Sequence, residues 1–185
     1  MQAARHLQDD RWTLLAIGCL AALASAAGHE AVGHGLTCIA VGGRIALLTT
    51  THFQCAGGAP LVDAAGPGMN LLLAALGAFG FRFARPSTPW LRLFFLALAA
   101  FNTFWFAGEA LRSSLTHVDD EAALARTLGW PPAWRPACFA VAIGLYWWAV
   151  AYFAPPLREV SAGRGKAGAL SLAAMVLLGG ALALT

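Results

Sequence analysis

His29-Glu30-Ala31-Val32-Gly33-His34 follows directly on an uncharged run, residues 12–28. Two imidazoles and a carboxylate at the end of an apolar segment are a conflict that needs a reason. A charged side chain at the centre of a span costs roughly 2.5–3.5 kcal/mol on insertion scales. His and Glu are also the side chains of a zinc hydrolase site: nitrogen ligands for the metal, and a general base for the water it activates. In the familiar HExxH form the histidines stand four apart on one helical face. Here they stand five apart. A regular helix turns about 100° per residue, so a spacing of four separates two side chains by about 40° and a spacing of five by about 140°. Two geometries follow. A π-bulge, which adds a residue to one turn, would bring His29 and His34 onto one ion, and Gly33 would ease it. A regular helix would instead pair Glu30 with His34, leaving His29 outside the ligand set.

Composition supports a membrane setting for this cluster. The 185 residues are 59% hydrophobic and 11% charged, with mean hydropathy +0.65; an ordinary soluble domain is about 25% charged. The twelve Lys and Arg are scattered between apolar runs. No basic stripe offers itself to nucleic acid, so no nucleic-acid partner is expected.

Working outward, about 20 apolar residues cross the hydrocarbon core. Five stretches qualify: residues 12–41, 63–82, 93–111, 136–157 and 167–185. Trp12, Trp90, Trp130 and Trp134 fall near their ends, as interfacial aromatics do. After Gly42-Gly43, residues 44–58 change character: Ile45, Leu47, Leu48 and Thr49-Thr50-Thr51 between glycines read as a short hairpin. Non-helical backbone at membrane depth has to be buried or line a wet cavity, so the hairpin is placed beside the polar cluster. Residues 86–89 are a tight turn, 113–136 form a polar connection, and 161–166 a flexible link. The fold expected is an all-α integral membrane protein, a single membrane domain over residues 1–185 with five transmembrane helices and a short membrane-embedded hairpin after the first.

Cys19 and Cys138 lie in apolar runs and read as packing residues. Cys38 and Cys55 flank the hairpin and would pair in an oxidising compartment. Lys and Arg counted by side give eight with the N-terminus and four opposite, which favours the N-terminus inside.

A catalytic zinc keeps three protein ligands and one open position. The third ligand must come from another segment, and Asp63, Glu109, Asp119, Asp120, His52 and His117 are the candidates. Asp63 also reads as a helix cap, and His117 and Glu121 as solvated loop residues.

At this point the chain resembles the site-2 protease family of intramembrane zinc metalloproteases, in a divergent bacterial form with HExxxH in place of HExxH. Three features carry the likeness: His29-Glu30 to His34; Gly66-Pro67-Gly68-Met69-Asn70 as the GPxxN segment; and the glycine-bounded hairpin between them. Asn102 resembles the asparagine that precedes the family's Asp ligand. The family's LDG motif is missing, with Ala107-Gly108-Glu109 near its place. The resemblance covers residues 12–125, a metalloprotease-like core, and leaves 133–185 as two additional transmembrane helices. It implies zinc held by His29, His34 and Asp120, which stands eighteen residues beyond Asn102, with Glu109 or Asp119 as alternative third ligands. It further implies Glu30 as general base, and Asn70 and Asn102 against the substrate strand or oxyanion. The substrate implied is a membrane protein or peptide within the lipid bilayer, in a bacterial inner membrane. It also implies a metal centre towards the cytosolic side, against the charge count. A non-catalytic metal-binding membrane protein and a structural or interaction subunit are the rival readings.

Overall fold

The computed structural model describes residues 11–161 and 165–184. The chain is helical nearly throughout. α1 (Arg11–Ala26) continues through a π-helical segment (Ala27–Leu36) into the single turn α2 (Thr37–Ala40). A hairpin follows, β1 (Arg44–Leu48) with β2 (Phe53–Ala56), and then α3 (Pro60–Phe83), α4 (Pro89–Thr116), α5 (Asp120–Thr127), α6 (Trp134–Val160) and α7 (Gly165–Leu184). Among the described residues five helices, Arg11–Ala40, α3, α4, α6 and α7, are long and apolar enough to cross a membrane. They fall on the five stretches read from the sequence. Residues 162–164, within the proposed link, and residue 185 lie outside the described set.

α4 is the central helix. It packs on α1, α3 and α6, while α7 packs on α1. The core joins Leu14, Ile17 and Ala21 to Leu93, Leu96 and Ala99, and closes on Ala149, Phe153, Leu172 and Val176. In lipid there is no hydrophobic drive between helices, so association relies on close van der Waals approach. The glycines supply it. A Cβ on Gly18 would meet the Val176 backbone, and one on Gly179 the Leu15 backbone. The last two spans therefore pack directly on the first three, α7 on α1 and α6 on α4. Cys19 and Cys138 are free and partly buried, with thiols donated to the carbonyls of Gly179 and Ala110.

The hairpin pairs Arg44 with Ala56, Ile45 with Cys55, Leu47 with Gln54 and Leu48 with Phe53, with an irregularity between Ile45 and Leu47. Gly42 and Gly57 flank it at φ +83° and +79°, a conformation that glycine alone adopts freely. A disulfide between Cys38 and Cys55 ties the end of the first span to β2.

One sequence reading needs correcting. The connection 113–136 is not simply a polar loop, because it contains α5. Asp120 and Glu121 sit in that helix's first turn, where carboxylates complement the helix dipole. Ala122 and Ala125, three apart, are buried. Glu121 is accordingly not a solvated loop residue: its Oε2 lies 2.9 Å from Ser113 Oγ. His117 is exposed, as expected.

A candidate metal centre at the end of the bundle

The π segment decides the geometry. Gly28, His29 and Glu30 are buried, and so are Gly33, His34 and Gly35, five residues further on, while Ala27, Val32 and Leu36 face outward. In a π-helix each N–H bonds five residues back, so a partner five along takes the place that one four along holds in an α-helix. The extra residue in HExxxH is absorbed by this wider turn. His29 and His34 meet with ring centroids 4.8 Å apart in an edge-on arrangement. The regular-helix geometry, with Glu30 and His34 as the pair, is not the one adopted.

Gly33 has a further role. A Cβ there would stand 2.8 Å from the Ala65 carbonyl oxygen, so its bareness admits the backbone of α3. From α3, Gly66 answers: its Cβ would lie 2.7 Å from His29 Nε2 and would overlap His34 Nε2. The GPxxN segment thus supplies a bare strip of backbone against which both imidazoles lie. Sequence reading identified the segment without identifying this use of its first glycine.

Asp120 arrives from the other side. The chain leaves α4 through His117 in the left-handed region (φ 60°) and Asp119 at φ 79°, conformations that non-glycine residues seldom hold without cause. The turn is secured from outside: Arg126 Nη1 donates to His117 O at 2.8 Å, and Arg135 Nε to Ser114 O at 2.8 Å. It swings the start of α5 back onto α3 and α4, placing Asp120 Oδ2 3.0 Å from His34 Nε2 and 3.4 Å from His29 Nε2. The two Nε2 atoms are 3.2 Å apart. Burial pushes the Asp120 carboxyl up, but the hydrogen bonds and charges of His29 and His34 outweigh it and hold the group below the ordinary carboxylate range. Burial raises Asp119 and Glu121.

His29, His34 and Asp120 form a group able to hold a metal ion. Two observations test the fit. First, metal–ligand distances of about 2.0–2.1 Å place the corners of a tetrahedron about 3.3–3.4 Å apart, close to the three separations found. Second, His34 Nδ1 lies 2.7 Å from the Val62 carbonyl oxygen. A carbonyl only accepts, so Nδ1 carries the proton, and in the neutral ring Nε2 presents a lone pair to a carboxylate oxygen. Lone pair facing lone pair is stable only with a cation between them, either a second proton or a metal. The Nδ1–H to carbonyl bond is also the outer-shell contact that orients metal-binding imidazoles. Phe53 of the hairpin stacks on the other side of His34, centroids 5.3 Å apart and planes 11° apart.

A cavity of about 490 Å³ opens onto this group. Its wall includes Glu30, His52, Asp63, Glu109, Arg112 and Asp119, together with the three clustered residues. Asp119 is a wall residue whose carboxylate pairs with Arg112 at 3.0 Å. Glu109 Oε1 approaches His29 alone, at 3.5 Å from Nε2. Neither completes the three-atom group as Asp120 does. Asn70 and Asn102 do not line the cavity. Asn102 is fully buried, and its amide donates to Ser25 Oγ and to Leu98 O, both at 2.8 Å; it fastens α4 to α1. Asn70, also fully buried, directs its amide towards Glu109 Oε2 at 3.4 Å. Trp105, which sequence reading did not single out, stacks on His29 with centroids 5.1 Å apart and planes 21° apart. An aromatic four residues before an acid on one helix was the available signal.

No family model, no curated protein and no solved structure matches this chain. The class defined by fold and site is therefore a five-span helical membrane protein with a His/His/Asp group open to a polar cavity.

Proposed function

We propose that the chain is an intramembrane zinc metallopeptidase that cleaves a membrane protein or peptide. One observation carries the reading: the π segment turns His29 and His34 onto Asp120 while leaving Glu30 on the wall of the same cavity. Two imidazoles and one carboxylate are a catalytic zinc donor set, which leaves a position open. A zinc ion there would act as a Lewis acid on the scissile carbonyl and acidify a water molecule.

The chain's own residues account for the remaining steps. Val62 O fixes the His34 tautomer, so Nε2 keeps its lone pair. Glu30 is buried, lies one residue from His29 and faces the cavity. Its carboxylate takes the proton of the attacking water and returns it to the leaving amide nitrogen, as a general base and then an acid. The substrate enters as extended chain. The hairpin beside the cavity offers strand edges to it, and the disulfide holds that hairpin in place. The cluster stands near one end of the bundle, where the first span ends, α3 begins and α4 ends. Water reaches it from that side, and the susceptible bond is one near the membrane surface. Helical spans suit a bacterial inner membrane, whereas outer-membrane proteins are barrels.

The test uses purified protein in detergent. It should hold about one zinc per chain and cleave a membrane-anchored peptide. Glu30→Gln should keep the metal and lose the cleavage. Metal retained with no Glu30-dependent hydrolysis would favour a metal-binding protein without catalysis; a chain with no metal would leave the structural reading.

A further inference from the structure

The two histidines are held in different ways. His34 is fixed through Nδ1 by Val62 O. His29 Nδ1 is buried and has no hydrogen-bond partner among the described residues. An imidazole aimed at a metal is ordinarily oriented through its second nitrogen, so the aim of His29 must come from elsewhere.

α4 supplies it. Trp105 and Glu109, four residues apart, share one helical face. The indole plane lies along the His29 ring. The indole N–H donates to Glu109 Oε1 at 2.7 Å, and that same oxygen stands 3.5 Å from His29 Nε2. Asn70 Nδ2 approaches Glu109 Oε2 at 3.4 Å from α3. Glu109 is thus gripped at both oxygens, by two helices, next to the ring that lacks its own anchor. A carboxylate inside a span carries a large desolvation penalty, and two donors offset part of it.

We infer that Trp105, Glu109 and Asn70 form a positioning unit that aims His29 Nε2 at the metal: the stacked indole fixes the plane of the ring, Glu109 fixes the indole through its N–H, and Asn70 steadies Glu109. Asn70 then acts on the site through Glu109 and not on substrate, and Glu109 stays outside the ligand set. This inference rests on the proposed metal site.

The experiment reads metal binding, apart from hydrolysis. Zn²⁺ affinity is measured by chelator competition, and the visible spectrum is recorded with Co²⁺, for Trp105→Phe, Asn70→Ala and Glu109→Ala, with the outward-facing Trp147→Phe as control. Each of the three should weaken Zn²⁺ by 10- to 100-fold, the range for outer-shell partners of metal ligands, and shift the Co²⁺ bands; the control should do neither. Adding Trp105→Phe or Asn70→Ala to Glu109→Ala should cost less than either change costs alone, because the three act as one hydrogen-bonded chain that ends at the indole. Wild-type affinity and an unchanged Co²⁺ spectrum in all three variants would overturn the inference while leaving the metal site intact. So would losses that simply add, which are what general destabilisation produces. Loss of binding in Glu109→Ala as complete as in His34→Ala would also overturn it, by making Glu109 a ligand. A wild-type chain that binds neither ion would overturn the proposed function as well.

Discussion

Replacing Gly66 with Ala tests the centre at its most confined point. The new Cβ would stand 2.6 Å from His34 Cε1 and 2.7 Å from His29 Nε2, and would overlap His34 Nε2. Ordinary contact between such atoms begins near 3.5 Å. His29 must therefore give way by about 0.8 Å and His34 by more than about 0.9 Å, or the α3 backbone must move as far, whereas metal sites keep their ligand distances within about 0.2 Å. Local overpacking of this kind costs about 1–3 kcal/mol of stability, which a protein of this size can survive. A zinc site at the proposed centre could not absorb the same displacement, so Zn²⁺ affinity should fall by at least ~100-fold while the helical content and detergent elution profile persist. Gly68→Ala, two residues along the same helix, is the matched control: its Cβ meets nothing within 4 Å, and affinity should not change. Chelator competition on the three proteins, with thermal unfolding measured alongside, decides the matter. If Gly66→Ala binds zinc like the wild type, the two imidazoles do not lie against α3 and the geometry derived for the centre is wrong.

Further outcomes follow from the same geometry. Deleting the outward-facing Val32 converts HExxxH to HExxH, which a regular helix accommodates with the rings about 40° apart; metal should be retained, while inserting an alanine after Val32 should abolish it, and the opposite pattern would refute the role given to the π turn. Asp120→Ala should weaken zinc more than Asp119→Ala or Glu109→Ala, and a reversed order would reassign the third ligand. The Cys38–Cys55 bond and the count of eight Lys and Arg against four both favour an orientation with the hairpin end outside, since disulfides persist in oxidising compartments and Lys and Arg collect inside. A membrane-impermeant thiol reagent on intact cells should then label Cys55 only after reduction; no labelling even after reduction, or a cysteine introduced at residue 3 that reacts from outside, would restore the cytosolic orientation implied by the family resemblance.

The sequence by itself determined the membrane class, the five spans, the hairpin and the His29, Glu30 and His34 set. These follow from properties local in the chain: runs long enough to cross a bilayer, glycines that interrupt them, and polar residues too costly to be idle in an apolar run. The π turn was legible as one of two geometries, the one required if His29 and His34 share an ion; the structure chose it over a regular helix pairing Glu30 with His34. Tertiary structure decided what depends on contacts between distant segments. By residue type Asp120, Asp119 and Glu109 are comparable as ligands, and the resemblance alone favours Asp120; the strained turn at His117 and Asp119, with α5 folded back onto α3, is what brings Asp120 to the two histidines. Asn70 and Asn102 are both plausible donors to substrate by motif. Burial at a helix crossing gives Asn102 to Ser25 and turns Asn70 towards Glu109. Gly66 looks in sequence like part of a turn-prone motif, and in three dimensions it is the opening through which two imidazoles reach one point. A residue's chemistry is written in its type, but whether it faces an ion, a neighbouring helix or lipid is set by the packing of elements far apart along the chain.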